Sequence, residues 1–125
     1  MVSCLVDTNV IIDLLRGYPL ALTWIATQPQ PAVCRVVYIE VIQGSEDKRK
    51  QQDALRLLKR FAMVEHTQAD FIWATRQVIR HSLAHRVDVT DALIAAPAHR
   101  LNLPFYTRNA KHFTPMIPSL VNVPY

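Results

Sequence analysis

Three carboxylates interrupt runs of sequence that are otherwise built for a protein interior. Asp7 follows Val2-Ser3-Cys4-Leu5-Val6, Glu40 sits inside Val36-Val37-Tyr38-Ile39-Glu40-Val41-Ile42, and Asp91 heads Ala92-Leu93-Ile94-Ala95-Ala96. Acids are among the side chains least often buried unless they are paired or bound to metal, so three of them in apolar runs imply one shared site. A helix start explains Asp91 alone, with Thr90 or Asp88 capping and the positive end of the helix dipole favouring the acid. It does not explain all three.

Strand and helix signals alternate around these acids. Residues 2 to 6 read as a buried strand ending at Asp7-Thr8-Asn9, and Val10 to Arg16 then carry apolar residues round most of a helix, stopped by Gly17. Pro19 can open a second helix through Ala26, before Gln28-Pro29-Gln30-Pro31 breaks the chain. Ala32-Val33-Cys34 predicts a strand feeding a helix over 36–43, closed by Gly44. Ser45 to Lys50 reads as a solvated helix start. Ala54, Leu55, Leu58, Phe61 and Ala62 then repeat at helical spacing, with Arg56, Lys59 and Arg60 between them.

Further on, Met63-Val64-Glu65 is a short strand. Thr67 to Asp70 has the capping-box pattern, and Phe71, Ile72, Thr75, Val78, Ile79, Ser82 and Leu83 form a helical stripe with Trp73, Arg76, Arg80 and His81 on the other side. His81, His85 and His99 show no paired ligand pattern. The helix begun by Asp91 runs to about Leu101 and contains Pro97, which cannot donate its helical hydrogen bond and costs about 3 kcal/mol in an unaccommodating interior. Leu103-Pro104-Phe105-Tyr106 is strand-like and leads into Thr107-Arg108-Asn109, and Val121-Asn122-Val123 fits an edge strand.

At 125 residues this is a single domain, 1–125, with one layered core. No apolar run reaches the roughly 20 residues that span a bilayer, and the N-terminus lacks the features of a secretory signal, so a soluble cytoplasmic protein is expected. Cys4 and Cys34 lie in β-type runs and read as buried reduced thiols. Lys and Arg number 14 against 10 acids, a net charge of +4. With Asp7, Glu40 and Asp91 sequestered around a cation, the remaining surface is more basic still, which favours encounter with polyanions.

Alternating strands and helices predict a parallel sheet covered on both faces, with ligands gathering at the carboxyl ends of strands. Asp7 and Asn109 both follow such ends, with Asp91 and Glu40 placed on helices nearby. Converging carboxylates repel unless a cation holds them, and an all-oxygen donor set without Cys or His selects Mg²⁺ or Mn²⁺. Metal-assisted hydrolysis of a phosphodiester is the matching chemistry. Asp7-Thr8-Asn9 superficially suits an aspartyl-nucleophile phosphatase, but that chemistry wants a second Asp where Asn9 stands. No helix pair carries a persuasive DNA-recognition pattern.

Val6-Asp7-Thr8-Asn9, Ile39 to Gly44, Asp91 to Ala96 and Tyr106 to Phe113 resemble, in order and over nearly the whole chain, the successive motifs of PIN-domain nucleases, and in particular the VapC toxins of toxin–antitoxin pairs. The resemblance implies a three-layer α/β/α PIN-like domain with a central, mainly parallel sheet and a Mg²⁺- or Mn²⁺-dependent endoribonuclease acting on RNA. By motif, Asp7, Glu40 and Asp91 are its metal-binding acids, Asn109 stands where the family commonly has a fourth acid, and Asn9 and Thr107 support them. It also implies a cognate VapB-like antitoxin and a homodimer. The alternative is a PIN-fold protein that binds RNA or a partner without cutting. Asn109 offers a carbonyl oxygen and no charge, and Pro97 falls where a kink would shift Asp91.

Overall fold

The computed structural model describes residues 1–125. Its frame is a five-stranded parallel sheet built from β1 (Cys4–Val6), β2 (Pro31–Cys34), β3 (Ala62–Val64), β4 (Phe105–Tyr106) and β5 (Val121–Asn122), in the order β3-β2-β1-β4-β5. Leu5 lies opposite Ala32 on one side and Phe105 on the other. Consecutive residues Cys4, Leu5 and Val6 are each only 1% exposed. Because neighbouring side chains on a strand point to opposite faces, both faces of the sheet are covered, as a three-layer α/β fold requires. The expected fold class is therefore met, and the sheet is wholly parallel.

The covering helices are α1 (Thr8–Leu15), α2 (Pro19–Ile25), α3 (Arg35–Gln43), α4 (Lys48–Leu58), α5 (Gln68–His85) and α6 (Val89–Leu101), and none is long and apolar enough to cross a membrane. Local chemistry sets most of their ends. Gly17 stops α1 in the left-handed conformation at φ 71°, which costs glycine nothing sterically. Asp47 caps α4, and Thr67 with Asp70 forms the capping box of α5. Of the two candidate caps for α6 it is Asp88 that accepts the Asp91 N–H, at 2.9 Å. Gly44 ends α3 for another reason: its φ is −75°, and a Cβ there would lie 3.3 Å from the Glu40 carbonyl oxygen.

One expectation needs correction. The apolar stripe of α5 does not face the core: Phe71, Ile72, Ile79 and Leu83 are 52, 48, 77 and 98% exposed, while Asp70 and Ala74 are buried. The seam with α6 is set by small and polar groups. Ala74 permits close approach to a helix rich in alanine, Trp73 stacks on His99, and Arg100 grips Asp70 through two hydrogen bonds of 2.9 and 3.1 Å. His81 and His85 lie near the C-terminal end of α5 with ring centroids 5.6 Å apart.

As expected, Pro97 lies inside α6. The helix runs unbroken from Val89 to Leu101 with the proline buried inside it. Lacking an N–H, Pro97 leaves the carbonyl of Leu93, four residues earlier, without its helical donor. His66, on the loop between β3 and α5, supplies the replacement: its Nε2 lies 2.8 Å from that oxygen. A carbonyl can only accept, so Nε2 carries the proton. The hydrogen bond that Pro97 cannot make is thus replaced from within the fold.

Candidate active site

The strand order places the site. The chain steps from β1 outward to β2 and β3, then returns to the other side of β1 for β4 and β5. Between β1 and β4 the order reverses, and in open parallel sheets the crevice at such a switch point, outside the carboxyl ends of the strands, is where ligands bind. Asp7 follows β1 directly and Thr107 follows β4, with the Asp7 N–H donating to the Tyr106 carbonyl at 2.9 Å. Short strands ending together bring residues 100 positions apart into contact.

Asp7 is 6% exposed, and both of its oxygens are held. Oδ1 caps α1 by accepting the Thr8 N–H at 2.7 Å, and Oδ2 accepts the Thr107 hydroxyl at 2.7 Å. Thr8 turns its own hydroxyl to Glu40 Oε1, 2.7 Å away on α3, so one residue links two of the acids. The fully buried Thr107 Oγ1 also accepts the Asn109 N–H at 2.9 Å, and Asn9 reaches toward it from α1 at 3.4 Å. On the far side His112 Nδ1 stands 3.5 Å from Asp91 Oδ2 and 3.1 Å from Asn109 Nδ2.

The acids sense one another. Burial pushes the Asp7 carboxyl up, hydrogen bonds from Thr107 and Thr8 pull against it, and the charge of Glu40 adds repulsion. Asp91 is pushed up to about 6, first by burial and then by repulsion from Asp88 and Asp7, with His112 acting in the opposite sense. The structure thus brings all the sequence-selected residues, Asp7, Glu40, Asp91, Asn109, Asn9 and Thr107, to one end of the sheet. Two more belong with them. Thr8 was hidden because its position next to Asp7 suggests only a helix start, whereas His112, three residues after Asn109, carried a spacing signal for a shared turn.

No three Asp, Glu, His or Cys side chains close into a cage of direct metal ligands. A separate groove of about 300 Å³ lies between α1, α3 and α4, lined by Ile12, Leu15 and Val41 together with Arg16, Glu46, Lys50 and Asp53, and contains none of the acids described above. Elsewhere on the surface, Arg35 pairs with Glu65, and Trp73 stacks on His99.

Comparison with known proteins identifies the family. Residues 4–114 match the family model described as PIN domain. The chain belongs to the PIN-domain family. Among PIN-domain relatives, it is 32% identical over 119 residues to Ribonuclease VapC10 of Mycobacterium tuberculosis, a match covering 93% of this chain and 89% of that protein. Its fold is similar to a structure described as a toxin-antitoxin complex from Klebsiella pneumoniae, with a TM-score of 0.82, 28% identity and 98% of both chains covered. VapBC2 from Rickettsia felis, bound to a DNA fragment from its promoter, shares the fold at a TM-score of 0.76 and 21% identity, again over 98% of both chains.

Proposed function

We propose that this PIN-domain protein is a toxin-type endoribonuclease that hydrolyses RNA phosphodiester bonds and is restrained by a cognate antitoxin. One observation carries the chemistry: Asp7, Glu40 and Asp91 converge at the strand switch point, and Asp7 and Asp91 are pushed above the ordinary carboxylate range partly by their neighbours' charge. Such repulsion is useful where a cation relieves it. Ribonuclease VapC10 and the toxin–antitoxin complexes supply the substrate class and the partner.

The donor set fits Mg²⁺ or Mn²⁺. The acids and the Asn109 carboxamide offer oxygen donors, which suit a hard cation that keeps several waters in its shell. Asp7, Asp91 and Glu40 would hold the ion, with the Asn109 carboxamide at the edge. A hard divalent cation, when bound, acidifies a water and offsets charge growing on the phosphoryl oxygens. Thr107 fixes Asp7 Oδ2, Thr8 fixes Glu40, and Asn9 braces Thr107, so the acids are oriented before substrate arrives. The net charge of +4 favours encounter with RNA.

The groove between α1, α3 and α4, which combines Ile12, Leu15 and Val41 with charged Arg16, Glu46, Lys50 and Asp53, suits a segment of the antitoxin. The exposed apolar face of α5 suits pairing of two copies, and a cytoplasmic location follows from the RNA substrate. The decisive experiment incubates purified, antitoxin-free protein with a mixed cellular RNA pool in Mg²⁺ or Mn²⁺, in chelator, and as the Asp7→Asn variant. Discrete fragments that need both metal and Asp7 are expected. A folded protein that binds RNA and leaves it intact in every condition would assign the chain to the non-cleaving PIN-fold binders.

A further inference from the structure

The loop after β4 carries Thr107 and Asn109 into the site, yet little of the sheet holds it. Both β4 and its neighbour β5 are two residues long, and the Thr107 N–H makes the last pairing there, to the Asn122 carbonyl at 3.0 Å. Arg108 lies between the two site residues and is gripped at both ends. Its backbone N–H donates to Asn9 Oδ1 at 3.2 Å, and its Nη1 donates to Asp13 Oδ2 at 3.0 Å. Asn9 and Asp13 are four residues apart on α1, so they stand one above the other on the same helix face.

Aromatic rings complete the grip. The guanidinium carbon lies 4.7 Å from the centre of the Tyr125 ring and 5.6 Å from that of Tyr18. The Tyr125 hydroxyl donates to the same Asp13 oxygen at 2.7 Å, and Tyr125 continues through Trp24 to Tyr106 of β4. An arginine already provided with a carboxylate and two rings is poorly placed to serve as a phosphate contact. It is well placed to tie the helix begun at Asp7 to the loop that ends at Asn109.

We propose that Arg108, Asp13 and Tyr125 form a positioning clasp that fixes the Thr107–Asn109 side of the site against α1. The clasp acts on how the site is held, and its catalytic consequence rests on the ribonuclease reading above. Because small displacements of positioned groups lower turnover steeply, Arg108→Ala should reduce kcat about tenfold or more while KM for RNA stays within about twofold. Arg108→Lys, which retains the charge for Asp13 and loses the planar stack, should fall between the two. Asp13→Asn and Tyr125→Phe should shift kcat in the same direction, and Arg108→Ala combined with Tyr125→Phe should be less damaging than the product of the single effects.

Amide hydrogen exchange in metal-free protein reads the clasp without activity. In Arg108→Ala and in Arg108→Lys, the Asn109 and Thr107 amides should exchange faster, about tenfold in the alanine variant, while that of Leu5 in the central strand is unchanged. Unaltered exchange at Asn109 in both variants overturns the proposal. So does a rise in KM at constant kcat, which would make Arg108 an RNA contact. If the parent protein cleaves no RNA, the ribonuclease reading falls, and the exchange pattern alone decides the clasp.

Discussion

Replacing Asp91 by Asn should stabilise the metal-free protein at neutral pH and above while leaving it nearly unchanged in acid. The Asp91 side chain is 17% exposed, and its carboxyl is pushed from an ordinary value of 3.8 to about 6 by burial and by Asp88 and Asp7. The folded protein therefore holds this proton more tightly than the unfolded chain does. Stability from the protonated acid is fully present below the ordinary value and is lost as pH rises through about 6. At about 1.4 kcal/mol for each tenfold change in proton affinity, the loss approaches 3 kcal/mol, and the water still reaching the side chain reduces it to roughly 2.

Asparagine has nearly the same shape and no charge to lose. Urea unfolding in chelator, at fixed ionic strength, should show the variant and parent together near pH 4 and separated by about 2 kcal/mol at pH 8. Adding Mn²⁺ should raise the stability of the parent and narrow the gap, because an ion bound only by the folded state stabilises it by mass action. A difference that is constant across pH, or a parent more stable than the variant at pH 8 in chelator, would refute the reasoning.

Two further substitutions probe the frame around the acids. Arg100→Ala removes both hydrogen bonds to Asp70, whose side chain is 2% exposed, and should cost about 3 kcal/mol by urea unfolding at pH 7. Although burial alone would raise the Asp70 carboxyl, Arg100 and Thr67 hold it below the usual range, so this cost should shrink as acid protonates it. Thr107→Val keeps the volume of a fully buried side chain but removes the donor to Asp7 and the acceptor for the Asn109 N–H; a loss of about 1–3 kcal/mol is expected by thermal or urea unfolding, with weaker Mn²⁺ binding by titration calorimetry.

What could be read from the sequence was mainly what is local. An apolar run cut short by Asp7 announces a strand ending at a site, Thr67 and Asp70 spell their capping box, and Gly17 marks a helix stop. The face of α5 was misread because periodicity shows that a helix has two sides without saying which one meets the protein. Here Ala74 and the Asp70–Arg100 pair choose the seam, leaving Leu83 and Ile79 in water. The links from Thr8 to Glu40, and from Asp13 to Tyr125, join residues 32 and 112 positions apart, distances over which a single sequence carries no pairing signal. Pro97 looked like a fault in the helix of Asp91 for the same reason, since its remedy lies 31 residues earlier at His66.

That remedy makes the order of change matter in the history of this chain. If Pro97 became alanine first, the restored N–H could satisfy Leu93, leaving His66 free to vary at small cost. If His66 were lost first, a part-buried carbonyl would be stranded inside α6, a cost of about 1–3 kcal/mol. The two positions are therefore energetically coupled, with a less costly order of substitution. His66 is thus structurally needed wherever residue 97 is proline, because its Nε2 supplies the donor that the proline lacks.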